Sequence, residues 1–204
     1  MSKSQLKLKW HIEVKDKNGK VTFRKSGISK SLLRNFMYWL QSKFQLTGGS
    51  GYSTWTASDT TNTARTFAPN ITTNESRFGA FGGLITDSLT GLRVGKGNNA
   101  VNPTDFEMQT LIPHGVGADQ MQYGGQTYEA VTVVGQNTTF RVTRAFTNSS
   151  GNTITIKEIG AAFMEYDTGT VARYLCYLRD VLPSPVAVPD GSTFTLRYTF
   201  SVTA

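Results

Sequence analysis

The sequence predicts a mostly β protein, an antiparallel β-sandwich of jelly-roll-like or immunoglobulin-like type with an N-terminal β-hairpin and one α-helix. Three observations carry that expectation. Apolar residues alternate with polar ones near both ends, through Leu6, Leu8, Trp10, Ile12 and Val14 and again through Phe194, Leu196, Tyr198, Phe200 and Val202. This is the period of a strand that buries one face. Turn signals built from Gly, Pro and Asn divide the chain after residue 83 into strand-length pieces without helical spacers. A period near 3.6 occurs in one stretch only, 28–44.

Taken in order, Asp16-Lys17-Asn18-Gly19 follows the first alternating run and forms a turn, because Asn-Gly accepts the positive φ of tight hairpins. Val21 and Phe23 continue on a second strand. Ile28, Leu32, Phe36 and Leu40 then recur every fourth residue and predict a helix over 28–44, with Ser29 or Ser31 as its cap. Asn148-Ser149-Ser150-Gly151-Asn152, between Phe140-Val142 and Ile154-Ile156, predicts a second hairpin. The apolar run Val171–Leu182 predicts a central strand that Pro183-Ser184-Pro185 stops, and Pro189-Asp190-Gly191 turns the chain into its last strand.

Three regions result: a basic hairpin plus helix over 1–45, an extended arm over 46–82, and the sandwich over 83–204. Within 45–75, Thr, Ser, Gly and Asn fill 18 of 31 positions. That is too little apolar surface for a core of its own. Tyr52, Trp55, Phe67 and Ile71 read as single anchors laid on another surface.

Charge divides the chain in the same way. The 204 residues carry a net charge of +7, yet 1–45 hold 11 of the 21 basic side chains against Glu13 and Asp16, a net of +9, and the remainder sums to −2. An asymmetry of this size is read in two ways, as a solvated lysine-decorated face or as a surface for an acidic partner, with Lys7, Lys9, Lys15, Lys17, Lys20, Arg24, Lys25, Lys30 and Arg34 as docking residues in the second. Nucleic acid is not the expected partner. Trp10 alternates onto the apolar face, so basic residues and stacking rings are not interleaved.

Chemistry-bearing residues are few: one cysteine and two histidines. His11 falls on the polar face of the first strand, and His114 sits in the turn Ile112-Pro113-His114-Gly115. Cys176 lies inside an apolar run, where a thiol is a small hydrophobe with a raised pKa. The segment Gly91–Gly97 is one residue short of a phosphate loop and has no Ser or Thr after Lys96. Asp105 and Glu107 share a face of an extended segment, as paired carboxylates in glycoside hydrolysis would, but nothing else marks an active centre. No catalytic, cofactor-binding or metal-binding residue is assigned. No apolar run is long enough for a membrane helix, and no signal peptide opens the chain.

Several segments together resemble the structural proteins of tailed bacteriophages. They are Leu92–Gly97 leading to Asn102-Pro103-Thr104-Asp105-Phe106, Ile112–Gly115, Gln122-Tyr123-Gly124, Phe140–Phe146, Ile154–Gly160, Leu178-Arg179-Asp180-Val181 and Val188-Pro189-Asp190-Gly191. Glu13–Gly19 and Leu32-Leu33-Arg34-Asn35-Phe36 are similar to the N-termini of the same group. The resemblance implies a non-enzymatic virion component, assembled in the host cytoplasm, whose partners are other virion proteins and copies of itself. It implies no cofactor. Two alternatives stand beside it: a carbohydrate- or receptor-binding module using Tyr52, Trp55 and Tyr123 as stacking rings, and a basic capsid protein contacting nucleic acid.

Overall fold

The computed structural model describes residues 5–44, 54–67 and 85–203, side chains at 42–44 excepted. Alternation at the two ends of the chain has a common outcome, because the first and last strands pair along their whole length. β1 (Gln5–Lys15) and β11 (Thr193–Thr203) run antiparallel with Trp10 opposite Tyr198 and Ile12 opposite Leu196. β2 (Val21–Ile28) pairs on the other side of β1, joined by a turn in which Gly19 has φ +80°. β8 (Asn137–Thr147) pairs on the other side of β11. β6 (Gln122–Tyr128) and the three-residue β7 (Thr132–Val134) pair with β8, completing a six-stranded sheet in the order β2-β1-β11-β8-β6. The N-terminal hairpin is thus the flank of the large sheet and not an appendage to it.

The small sheet has the order β10-β9-β5, from β5 (Gly91–Gly95), β9 (Ile154–Tyr166) and β10 (Ala172–Val188). The principal core lies between the sheets, where Leu8, Trp10, Ile12 and Val14 meet Leu92, Val94, Ile156 and Val188. Gly27 is required under Trp10, since a Cβ there would fall 2.2 Å from the indole. Arg144 bolts the layers together from within. It leaves β8 and donates to the carbonyls of Thr90, Leu92 and Gly124 at 2.8–2.9 Å and to that of Asp87 at 2.6 Å. Its guanidinium lies 4.8 Å from the Tyr123 ring centroid, a favourable cation–π distance.

The helix is shorter than its period suggests. α1 spans Arg34–Phe44, while Ile28 closes β2 with its side chain exposed. Residues 29–33 are held by the fold itself and cap no helix: Ser29 N–H donates to Leu8 O, Leu33 N–H to Tyr177 O, and Arg179 N–H to Ser31 O. The leucine-like spacing of 28–33 reflects burial of a linker against β10, not helical turns.

Two strand assignments also change. β8 and β9 flank the Asn148–Asn152 turn but belong to different sheets, so this turn is a crossover and not a hairpin. β10 is an edge strand that continues through Pro183 and Pro185 to Val188, with its register interrupted between Val181 and Val186. Proline is tolerated there because an edge strand has N–H groups with no ladder partner to lose.

Within the expected arm, residues 54–67 form a hairpin of β3 (Trp55–Ser58) and β4 (Ala64–Phe67). Trp55 stacks on the buried Phe67 at 4.6 Å, and both join Ala57, Phe163, Leu175 and Tyr177 with Phe36 and Trp39 of α1 in a second, smaller core. Local polarity concealed this because the apolar contribution is three residues that borrow a core from β9 and β10. Tyr52 and Ile71 lie outside the described residues.

Candidate docking surface

Alternation that buries Leu8, Trp10, Ile12 and Val14 turns Lys7, Lys9, His11, Glu13 and Lys15 to the opposite face of the large sheet. Register carries the pattern across four strands. One row reads Arg24, Glu13, Thr195, Ala145; the next Ser26, His11, Arg197, Thr143; the next Ile28, Lys9, Thr199, Arg141. Lys7, Ser201 and Thr139 make a further row, and Lys15, Thr193 and Thr147 lie toward the β1–β2 turn. With neighbouring strands about 4.8 Å apart, Lys9 and Arg141 are separated by about 10 Å along their row.

Six cations stand on this plane: Lys7, Lys9, Lys15, Arg24, Arg141 and Arg197. Two carboxylates answer them. Glu13 lies 2.6 Å from Arg24 Nε and 3.4 Å from Lys15 Nζ, and Arg24 holds its carboxyl below the ordinary carboxylate range. Glu129 lies 2.7 Å from Arg141 and 3.9 Å from Arg197. Six positive and two negative side chains leave +4, and Lys7 and Lys9 have no carboxylate partner among the described residues. The surround is hydroxyl-rich, with His11 Nδ1 2.8 Å from Ser26 Oγ and Arg197 Nε donating to Thr143 Oγ1 at 3.2 Å. A broad basic plane of this kind suits a flat acidic surface, where charge complementarity sets register and speeds encounter.

Only part of the sequence-derived set converges. Lys7, Lys9, Lys15 and Arg24 do. Lys25 faces the other way and donates to Ser184 Oγ at 2.7 Å, Lys17 and Lys20 sit at the β1–β2 turn, Lys30 follows β2, and Arg34 opens α1, 5.7 Å from the Tyr38 ring. Arg141 and Arg197 were missed because they lie in the segment of net −2. Their alternation with Val142, Leu196 and Tyr198 was the available signal, and it locates them on this face once the strand order is known.

The remaining chemistry-bearing groups have structural partners. Glu158 is fully buried and accepts from the backbone N–H of Gly97, Gln109 and Thr110 and from Arg179 Nε at 2.7–3.1 Å. Asp105 and Glu107 are not a free pair. Asp105 binds Arg179 at 2.7 Å, and Glu107 binds the buried Arg93 with oxygens 2.8 and 3.0 Å from its two terminal nitrogens. These bonds clamp the 96–110 loop over the outer side of the small sheet. Burial pushes the Cys176 thiol up to about 12, as its apolar run predicts. His114 Nδ1 accepts from Tyr123 N–H at 3.0 Å. Tyr123 is no stacking platform: it is buried, wedged against Phe146 and Arg144, and donates its hydroxyl to Ile112 O at 2.6 Å.

Compared with protein-family models, curated proteins and solved structures, the chain matches none.

Proposed function

We propose that this chain is a non-enzymatic structural protein of a bacteriophage virion, docking on an acidic surface of a neighbouring virion protein through the outer face of its large sheet and assembling with copies of itself. The observation that carries the docking role is the gathering of six basic side chains from four strands on one plane at a net of +4. The virion setting rests on the strand-and-turn segments that resemble tailed-phage structural proteins. The burial of Glu158 and Cys176, and the pairing of Asp105 and Glu107 with the buried Arg179 and Arg93, support a role without catalysis.

The deciding experiment raises antibodies against the purified chain and applies them to density-purified particles made from the genome that encodes it. Labelling of intact particles at a regular position is the expected result. The chain found in the lysate but absent from particles overturns the virion reading. A gel shift of duplex DNA that fades steeply with salt would move the basic face to the nucleic-acid alternative.

A further inference from the structure

The two sheets have four edges, and the fold covers or truncates three of them. β5 is bordered by the 110–112 segment, with Lys96 N–H on Thr110 O at 2.8 Å and Ile112 N–H on Val94 O at 3.0 Å. β10 is bordered by Leu33 N–H on Tyr177 O and Thr60 N–H on Tyr174 O, both at 2.9 Å. At the far edge of the large sheet, Met121 N–H reaches Pro113 O beside the start of β6, and β7 is three residues long. β2 differs. It has eight residues, and among the described residues it pairs with β1 alone. Ser29 N–H donates to Leu8 O at 2.8 Å, which sets the phase of the ladder. Phe23, Lys25 and Gly27 bond β1, while Arg24, Ser26 and Ile28 aim their N–H and C=O groups outward.

We propose that the free edge of β2 accepts an extended acidic segment of a partner protein as an added strand. Strand addition draws affinity from main-chain hydrogen bonds and selectivity from pockets for alternate side chains. A groove of about 540 Å³ opens between β2 and the end of β10, with Phe23, Pro185, Val186 and Pro189 in its walls, and receives an apolar side chain of the incoming strand. Farther along the edge stand Lys25 and Arg24, the latter ion-paired with Glu13 at 2.6 Å. The only hydrogen-bond partner of the Lys25 ammonium among the described residues is the Ser184 hydroxyl, so its charge is uncompensated. Asp16, Lys17 and Asp190 line the turn end of the groove and leave it at a net −1, which directs the occupant's acidic residues away from it, toward Lys25 and Arg24. These charges disfavour a second copy as occupant. Two β2 edges side by side would oppose Arg24 and Lys25 of each, and like charges across paired strands are destabilising. The inference shares with the docking proposal the acidic partner and Arg24; one uses the backbone of the edge and the other the face of the sheet, so they fail separately.

The test uses the full chain, a labelled peptide of alternating glutamate and valine, a lysine–valine counterpart, and Ser26→Pro, which removes an outward N–H and leaves the β1 ladder in place. The glutamate–valine peptide is expected to bind and the lysine–valine peptide not to, with S26P weakening binding at least about tenfold. By hydrogen exchange, the amides of Arg24, Ser26 and Ile28 are expected to exchange fast in the free chain and to gain protection with peptide. This second readout decides the matter should S26P fail to fold. The proposal is overturned if those amides are already protected in the free chain, if the peptide protects none of them, or if it binds wild type and a folded S26P alike. Self-association abolished by S26P would also overturn it, in favour of a second copy.

Discussion

Glu158 ties three segments of the chain together from a fully buried position. Four donors from three segments converge on its two oxygens, and none of its surface reaches water. Glu158→Ala leaves three backbone N–H groups and the buried Arg179 without their acceptor, and removing one partner of a buried ion pair typically costs about 3–5 kcal/mol. Urea denaturation should show that loss, and amide exchange should show the 96–110 loop released before the sheets. An unchanged midpoint would mean that the network contributes little. The sequence offered no sign of this role, because Glu158 sits in Ile154-Thr155-Ile156-Lys157-Glu158-Ile159 as an ordinary polar member of an alternating strand. Its partners are as many as 61 positions away. Arg93 and Arg144 were hidden for the same reason: a buried charge is identified by its surroundings, and those come from other strands.

At the scale of elements, the β3–β4 hairpin is closed by Asp59. Burial raises its carboxyl, but the Thr61 hydroxyl, Arg65 and the N–H groups of Thr63 and Thr61 outweigh that and bring it down to about 2. A carboxyl lowered in the folded state stabilises the fold above its unfolded value, near 4. That contribution disappears as pH falls through the folded value. The hairpin should therefore loosen between about pH 4 and pH 2, visible as faster exchange of the Thr61 and Thr63 amides. Loosening already at pH 6 would exclude Asp59 as its cause. Composition alone argued for an arm here, and the argument fails at Phe67 and Trp55. Two rings suffice when β9, β10 and α1 supply the rest of the core. β1 and β11 were legible because each carries its own amphipathic face over 11 residues.

At the scale of the whole molecule, the charge distribution is what the fold rearranges most. The division between a +9 segment and a −2 remainder becomes one face on which Arg141 and Arg197 complete a field begun by β1 and β2. The triple variant K7E/K9E/R141E should fold, since exposed substitutions away from caps and cores usually shift stability by no more than about 0.5 kcal/mol. It should elute from a sulfonate matrix at clearly lower salt than wild type, because exposed charges act over about 10 Å at 0.1 M ionic strength. Elution at an unchanged salt concentration would locate the basic field elsewhere.

The sequence by itself determined the β character, the turns at Asn18-Gly19 and Pro189-Asp190-Gly191, and which side of each end strand meets the core. Those features depend on neighbours one, two or three residues away, where side-chain period and backbone φ are decided. Only the tertiary structure decided that β1 lies between β2 and β11, that β8 and β9 part into different sheets, that 29–33 lie along β10 instead of forming a helix, and which lysines share a face. Pairing between distant strands has no local signature: many partners satisfy the same alternation. The choice among them is made by close packing of the two layers and by the partners found for Arg93, Arg144, Glu158 and Arg179.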